Sequence, residues 1–137
     1  MSKLVYVADD EPELATMITE MLSDAGYDVT ASPDGPSLLR RVSERPPDLI
    51  LLDINMPGMT GWEVKRRLEE DPRNASIPVI AVTAQGGASI ETSAMRTLHF
   101  RDFVRKPFRI GDLLGRVEKA LAEPAPATPP DGAERPR

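Results

Sequence analysis

Leu49-Ile50-Leu51-Leu52-Asp53-Ile54-Asn55-Met56-Pro57 decides how this chain folds. Four consecutive large aliphatic residues, opened by Pro46-Pro47-Asp48 and closed by Met56-Pro57-Gly58, predict a short strand buried on both faces, as in the middle of a parallel sheet. Asp53 leaves the apolar run at the strand's C-terminal end, the edge where ligands bind in open α/β sheets. On this stretch alone two readings stand. The carboxylate either caps the following turn or is a nucleophile fixed by a rigid element within reach of solvent.

Upstream, Leu4 to Ala8 forms a first short apolar run, with Asp9-Asp10-Glu11 at its C-terminal end. Pro12 then opens a helix in which Leu14, Met17, Ile18, Met21, Leu22 and Ala25 recur at helical spacing, and Gly26 ends it where a left-handed residue is needed. Residues 27–31 predict a second strand, whose alternating Asp28 and Thr30 suit a place nearer the sheet edge. Ser32-Pro33-Asp34-Gly35 is turn chemistry, and a second helix over about 36–44 buries Leu38, Leu39 and Val42.

Downstream of Asp53, Thr60-Gly61-Trp62-Glu63 offers a capping box for a third helix reaching about Glu70. A fourth strand is expected over 77–82, ending in Thr83, followed by a small, glycine-rich segment (84–89) and a thin-striped fourth helix (about 90–97). These last two segments are expected to be the most mobile part of the domain. Phe103-Val104 makes a short fifth strand, Lys106-Pro107 follows, and a fifth helix uses Ile110, Leu113, Leu114, Val117 and Leu121. Beyond Ala122, five prolines in fifteen residues describe a disordered Pro/Ala-rich tail, so that residues 1–122 form the domain and 123–137 the tail. Five alternations of strand and helix call for an α/β domain: a flavodoxin-like, doubly wound, five-stranded parallel sheet of order 2-1-3-4-5 with helices on both faces.

Composition excludes several classes. With 137 residues, 40% hydrophobic and 28% charged, the chain suits one soluble globular domain, and no apolar run approaches the ~18 residues of a membrane span. The short N-terminal run meets acidic residues too soon for a signal peptide, and the absence of cysteine rules out a disulfide framework. A cytoplasmic location is expected. A net charge of −5 argues against a nucleic-acid surface. The basic clusters Arg40-Arg41 and Lys65-Arg66-Arg67 fall in helices with acidic neighbours and are expected to be solvated faces.

The predicted topology gathers Asp9, Asp10, Asp53, Thr83 and Lys106 at one sheet edge. Converging carboxylates repel one another unless a cation sits among them, and all-oxygen ligands suit Mg²⁺ better than zinc, with Mn²⁺ as an alternative ion. Lys106 and the Thr83 hydroxyl are donors suited to the oxygens of a phosphoryl group. Together these residues favour a phospho-acceptor site over a capping role for Asp53.

Residues 3–122 also resemble a family, the receiver domains of two-component response regulators. The resemblance rests on Asp9-Asp10, the run from Leu51 to Gly61, Thr83-Ala84 and Lys106-Pro107-Phe108. It implies that Asp53 accepts a phosphoryl group from a histidine kinase or phosphotransfer protein, and that Asp10 binds Mg²⁺ directly with Asp9 assisting. Asn55 would lend its backbone carbonyl to the metal, Thr83 and Lys106 would hold the phosphoryl oxygens, and the Lys106-Pro107 bond would be cis. Phe103 stands at the family's switch aromatic. The surface of the fourth helix, fifth strand and fifth helix would meet a downstream protein. With only the tail beyond residue 122, a stand-alone receiver is expected, catalysing no more than its own phosphoryl transfer and dephosphorylation.

Two departures stand out. The family commonly has a small Gly-Ala pair where this chain has His99-Phe100, and the loop after Thr83 carries Gly86-Gly87 rather than the commoner acidic residues. His99 and Trp62 are both expected to be structural. The competing enzyme reading, a metal-dependent phosphatase with an aspartyl nucleophile, wants a second carboxylate two residues after Asp53, where Asn55 stands. A flavin or nucleotide carrier on the same fold would want a phosphate-cradling loop after the first strand, where Asp9-Asp10-Glu11 repels phosphate.

Overall fold

Three apolar pentapeptides form the centre of the sheet in a computed structural model that describes residues 2–83 and 99–122. They are β1 (Leu4–Ala8), β3 (Leu49–Asp53) and β4 (Val79–Thr83), and every residue in them is buried, because helices cover both faces of a central parallel strand. β2 (Asp28–Ser32) and β5 (Asp102–Arg105) close the two edges. All neighbours pair in parallel in the expected order β2-β1-β3-β4-β5.

The twofold alternation of each strand divides the core in two. Leu4, Tyr6, Ile50, Leu52, Val79 and Ala81 face α2 (Gly35–Glu44) and α3 (Gly61–Glu70) through Leu38, Val42, Val64 and Leu68. Val5, Val7, Leu49, Leu51 and Ile80 face α1 (Pro12–Asp24) and the C-terminal helix α4 (Ile110–Ala122) through Ile18, Leu22, Leu113 and Val117. Each such aliphatic side chain contributes about 1.5–3 kcal/mol on burial, so both helical layers are bound firmly to the strands that carry the site.

Caps fix where the helices begin. Asp34 Oδ1 accepts from the Ser37 amide at 2.8 Å, starting α2 one residue earlier than expected. The Thr60–Glu63 capping box forms as expected, each side chain accepting from the other's amide at 3.3 Å. Gly26 has φ +100°, the left-handed stop that the sequence asked for after α1.

Several expected boundaries and faces are corrected. β2 runs one residue later than expected, because the Asp28 amide donates to Lys3 O and begins the edge ladder. The fourth strand starts at Val79 because the Ile77 amide turns back to Asn74 O, and it takes in Thr83 as its last residue. β5 extends one residue beyond the expected pair at each end. Met17 and Ile110 are 36% and 46% exposed: the core side of α1 is taken by Ala15, Ile18 and Leu22, and Ile110 is the first residue of α4. Lys65, expected on a solvated face, is 1% exposed, with its ammonium 3.1 Å from Glu69 Oε2 one turn on. The glycine-rich segment, the fourth helix expected over 90–97 and the tail lie outside the described residues. No helix among the described residues is long and apolar enough to cross a membrane.

Candidate phosphoryl-acceptor site

Parallel strands bring their C-terminal ends to one edge, and the register sets the ends level. Ala8 pairs with Leu52, Asp53 with Val82, and Thr83 with Arg105. Asp9 follows β1, Asp53 and Thr83 are the last residues of β3 and β4, and Lys106 follows β5. Asp9, Asp53 and Thr83 are buried, whereas Asp10 is exposed. One carboxylate oxygen from each of Asp9, Asp10 and Asp53 lies within 4.8 Å of the others. Lys106 Nζ stands 3.4 Å from Asp9 Oδ2, 3.6 Å from Asp53 Oδ2 and 3.3 Å from Glu11 Oε1.

Backbone amides aim these carboxylates. Asp9 Oδ1 accepts from the Glu11 amide at 2.8 Å, and Asp53 Oδ1 accepts from the Asn55 amide at 3.0 Å. Each side chain is thereby tied through Oδ1 to the residue two positions on, leaving Oδ2 toward Lys106. The sheet ladder reaches into the site, with Ile54 N donating to Val82 O at 3.0 Å and Lys106 N to Thr83 O at 2.8 Å. The Lys106–Pro107 peptide is cis. Behind β3, Gly61 N donates to Ile54 O at 2.9 Å, and a Cβ at Gly61 would lie 2.7 Å from Asp53 O. Only glycine lets α3 begin so close to that backbone.

The electrostatics follow from crowding. Asp53 is pushed up to about 6, first by burial; the Asn55 amide and Lys106 oppose this, while Asp9 and Asp10 add to it. Burial also raises Asp9, against the Glu11 amide and Lys106. Burial alone would lower Lys106, but Asp9, Asp53 and Glu11 outweigh it and hold the ammonium above its ordinary value. Three carboxylates around one small space, two of them buried and raised, form a hard, all-oxygen donor set that fits Mg²⁺.

The five residues expected at the sheet edge are therefore at that edge. Asn55 is exposed and its amide is committed to Asp53. Phe103 lies within β5, half-buried, its ring centroid 6.1 Å from Trp62 and 5.2 Å from Phe100. His99 precedes β5 at the opposite end of the sheet, in a left-handed conformation with φ 55°, with Nδ1 3.4 Å from Glu69 Oε2. Glu11 was not singled out as a partner of Lys106. Its place beside Asp9-Asp10 was the available signal, but a contact spanning 95 positions is invisible to local pattern.

The response regulator receiver domain model matches residues 5–118. The DNA-binding response regulator MtrA of Mycolicibacterium smegmatis is 36% identical over 126 residues, which are 88% of this chain and 51% of that protein. The phosphate regulon transcriptional regulatory protein PhoB of Pseudomonas aeruginosa is 32% identical over 126 residues, 92% of this chain and 55% of that protein. The chain thus spans about half the length of these relatives. Among solved structures, the Francisella response regulator 1452 receiver domain superposes with a TM-score of 0.80 at 27% identity, covering 88% of this chain and 98% of that one.

Proposed function

The chain belongs to the response regulator receiver domain family, a signalling family of two-component systems, and from that premise we propose that Asp53 is its phospho-acceptor. The observation that carries this reading is the meeting of Asp9, Asp10 and Asp53 within 4.8 Å, with Lys106 Nζ 3.6 Å from Asp53 Oδ2. Family membership selects the receiver over the aspartyl phosphatase.

In the proposed reaction Asp53 Oδ2 attacks the phosphorus of a phosphohistidine. The new P–O bond forms as the P–N bond breaks, and the electron pair leaves with the imidazole nitrogen. Asp10, Asp9, Asp53 and the Asn55 carbonyl would hold Mg²⁺, or Mn²⁺ in its place. When bound, the ion supplies positive charge that offsets the carboxylates and the incoming phosphoryl oxygens. Lys106 needs only a small shift from Asp53 Oδ2 to meet a phosphoryl oxygen, and the Thr83 hydroxyl supplies a second donor from the neighbouring strand end. The Asn55 amide keeps Asp53 Oδ1 occupied, so the carboxylate does not rotate away.

The chemistry ends with Asp53's own phosphorylation and hydrolysis, in the cytoplasm, with a histidine kinase or phosphotransfer protein as donor. Readout passes through Thr83 and Phe103 to a downstream protein that meets β5 and α4. Label transfer from a panel of purified histidine kinases tests this. At least one kinase is expected to label the wild-type chain and leave Asp53→Asn unlabelled, and equal labelling of the variant overturns the assignment.

A further inference from the structure

We propose that the first turn of α3 is a mechanical link from the acceptor strand to Phe103, in which Gly61 fixes the turn to the Asp53–Ile54 backbone and Trp62 carries its displacement to β5. The link deepens the reading of Asp53 as acceptor and rests on it. Trp62 is a positioning residue here and touches no reacting atom.

The first contact has no slack. Gly61 donates its amide to Ile54 O at 2.9 Å, and its α-carbon stands so close that an added Cβ would lie 2.7 Å from both Asp53 O and Ile54 Cα. A shift of the Asp53 backbone therefore displaces Gly61 with it. The Thr60–Glu63 box holds Gly61 and Trp62 in one rigid turn, so Trp62 moves with its neighbour.

The second contact is a closed triangle of rings. Trp62 meets Phe103 at 6.1 Å between centroids and Phe100 edge-on at 5.6 Å, and Phe100 meets Phe103 edge-on at 5.2 Å. Phe100 is 7% exposed and lies above Lys65, whose ammonium is 5.9 Å from the ring centroid. Lys65 is in turn held by Glu69 at 3.1 Å, and Glu69 Oε2 also lies 3.4 Å from His99 Nδ1. With Phe100 backed in this way, displacement of Trp62 reaches Phe103 directly and through Phe100. None of these contacts passes through Thr83 or the end of β4. Physical continuity becomes coupling only if both ends respond together, which is measurable.

Trp62 is the sole tryptophan of the chain, so its emission reports the turn without a label. The full chain is titrated with beryllofluoride in Mg²⁺, bound beryllofluoride is counted by fluorine magnetic resonance, and the Phe103 amide is followed in parallel. Trp62 emission is expected to shift in proportion to occupancy, and to do so in Thr83→Ala compared at matched occupancy. Trp62→Leu is expected to shrink the Phe103 amide response at matched occupancy, and Trp62→Phe to restore it. Full occupancy with unchanged Trp62 emission overturns the link. So does an emission shift that vanishes in Thr83→Ala, or a Phe103 response that is the same in Trp62→Leu. Absence of any bound fluorine signal overturns the acceptor reading instead, and the link falls with it.

Discussion

Lys106 Nζ lies nearer to Glu11 Oε1, at 3.3 Å, than to Asp53 Oδ2, at 3.6 Å, so the resting ammonium is shared among carboxylates rather than committed to the acceptor. Glu11 is largely exposed, and a solvated pair of this kind is weak. The Glu11 contact is therefore given up at little cost when stronger acceptor oxygens arrive, while Asp9 and Asp53 keep the ammonium at the site. On the proposed mechanism, replacing Lys106 by Met removes a donor to the phosphoryl oxygens together with the cation that opposes the rise of Asp53. The rate of phosphorylation by acetyl phosphate, followed by mass, is expected to fall roughly a hundredfold. An unchanged rate would remove Lys106 from the site.

Metal-free stability should decline as pH rises through the acid range. Asp53 keeps its proton to about 6 in the folded chain, against an ordinary value of 3.8. Between those values the folded state binds more protons than the unfolded state, so the slope of unfolding free energy against pH is negative. Asp53→Asn keeps an acceptor for the Asn55 amide but carries no charge. In chelator it is expected to be more stable than wild type at pH 7 and little different near pH 4. Denaturant melts at the two pH values measure this, and a less stable variant at pH 7 would contradict it.

The proposed ion site predicts that Mg²⁺ stabilises the wild-type chain at neutral pH, because an ion held by the folded carboxylate cluster and not by the unfolded chain shifts the equilibrium toward folding. Asp10→Asn deletes one of the three charges that would face the ion. The rise in Tm on adding millimolar Mg²⁺ is expected to be much smaller in that variant, and an equal rise would place the ion elsewhere.

Gly61→Ala forces either the α3 turn or the Asp53–Ile54 backbone to move, since the new Cβ would lie 2.7 Å from both Asp53 O and Ile54 Cα. A loss of about 1–3 kcal/mol is expected from thermal unfolding, typical of overpacking at a site that yields only in part. Wild-type stability in this variant would mean that the turn has slack.

The sheet and its edge were legible because they depend on short-range pattern. Leu49 to Leu52, bounded by proline and glycine turns, reads as a doubly covered strand, and once five strands alternate with helices, Asp9, Asp53, Thr83 and Lys106 fall at strand ends. Contacts that depend on side-chain direction across distant segments were not legible. Lys65 reads as surface in the run Lys65-Arg66-Arg67, yet the helix turns it inward beneath Phe100, where Glu69 satisfies it. The bulk of Phe100 was visible, but its place between Trp62 and Phe103 was not, since Trp62 is on another element and 38 positions away.

Asp53 as sole phospho-acceptor is tested most directly by intact-mass analysis after incubation with acetyl phosphate. Wild-type chain in Mg²⁺ is expected to gain one phosphoryl group, and to gain none in chelator or in the Asp53→Asn variant. A phosphoryl group that persists on Asp53→Asn, or that forms equally well in chelator, would contradict the site.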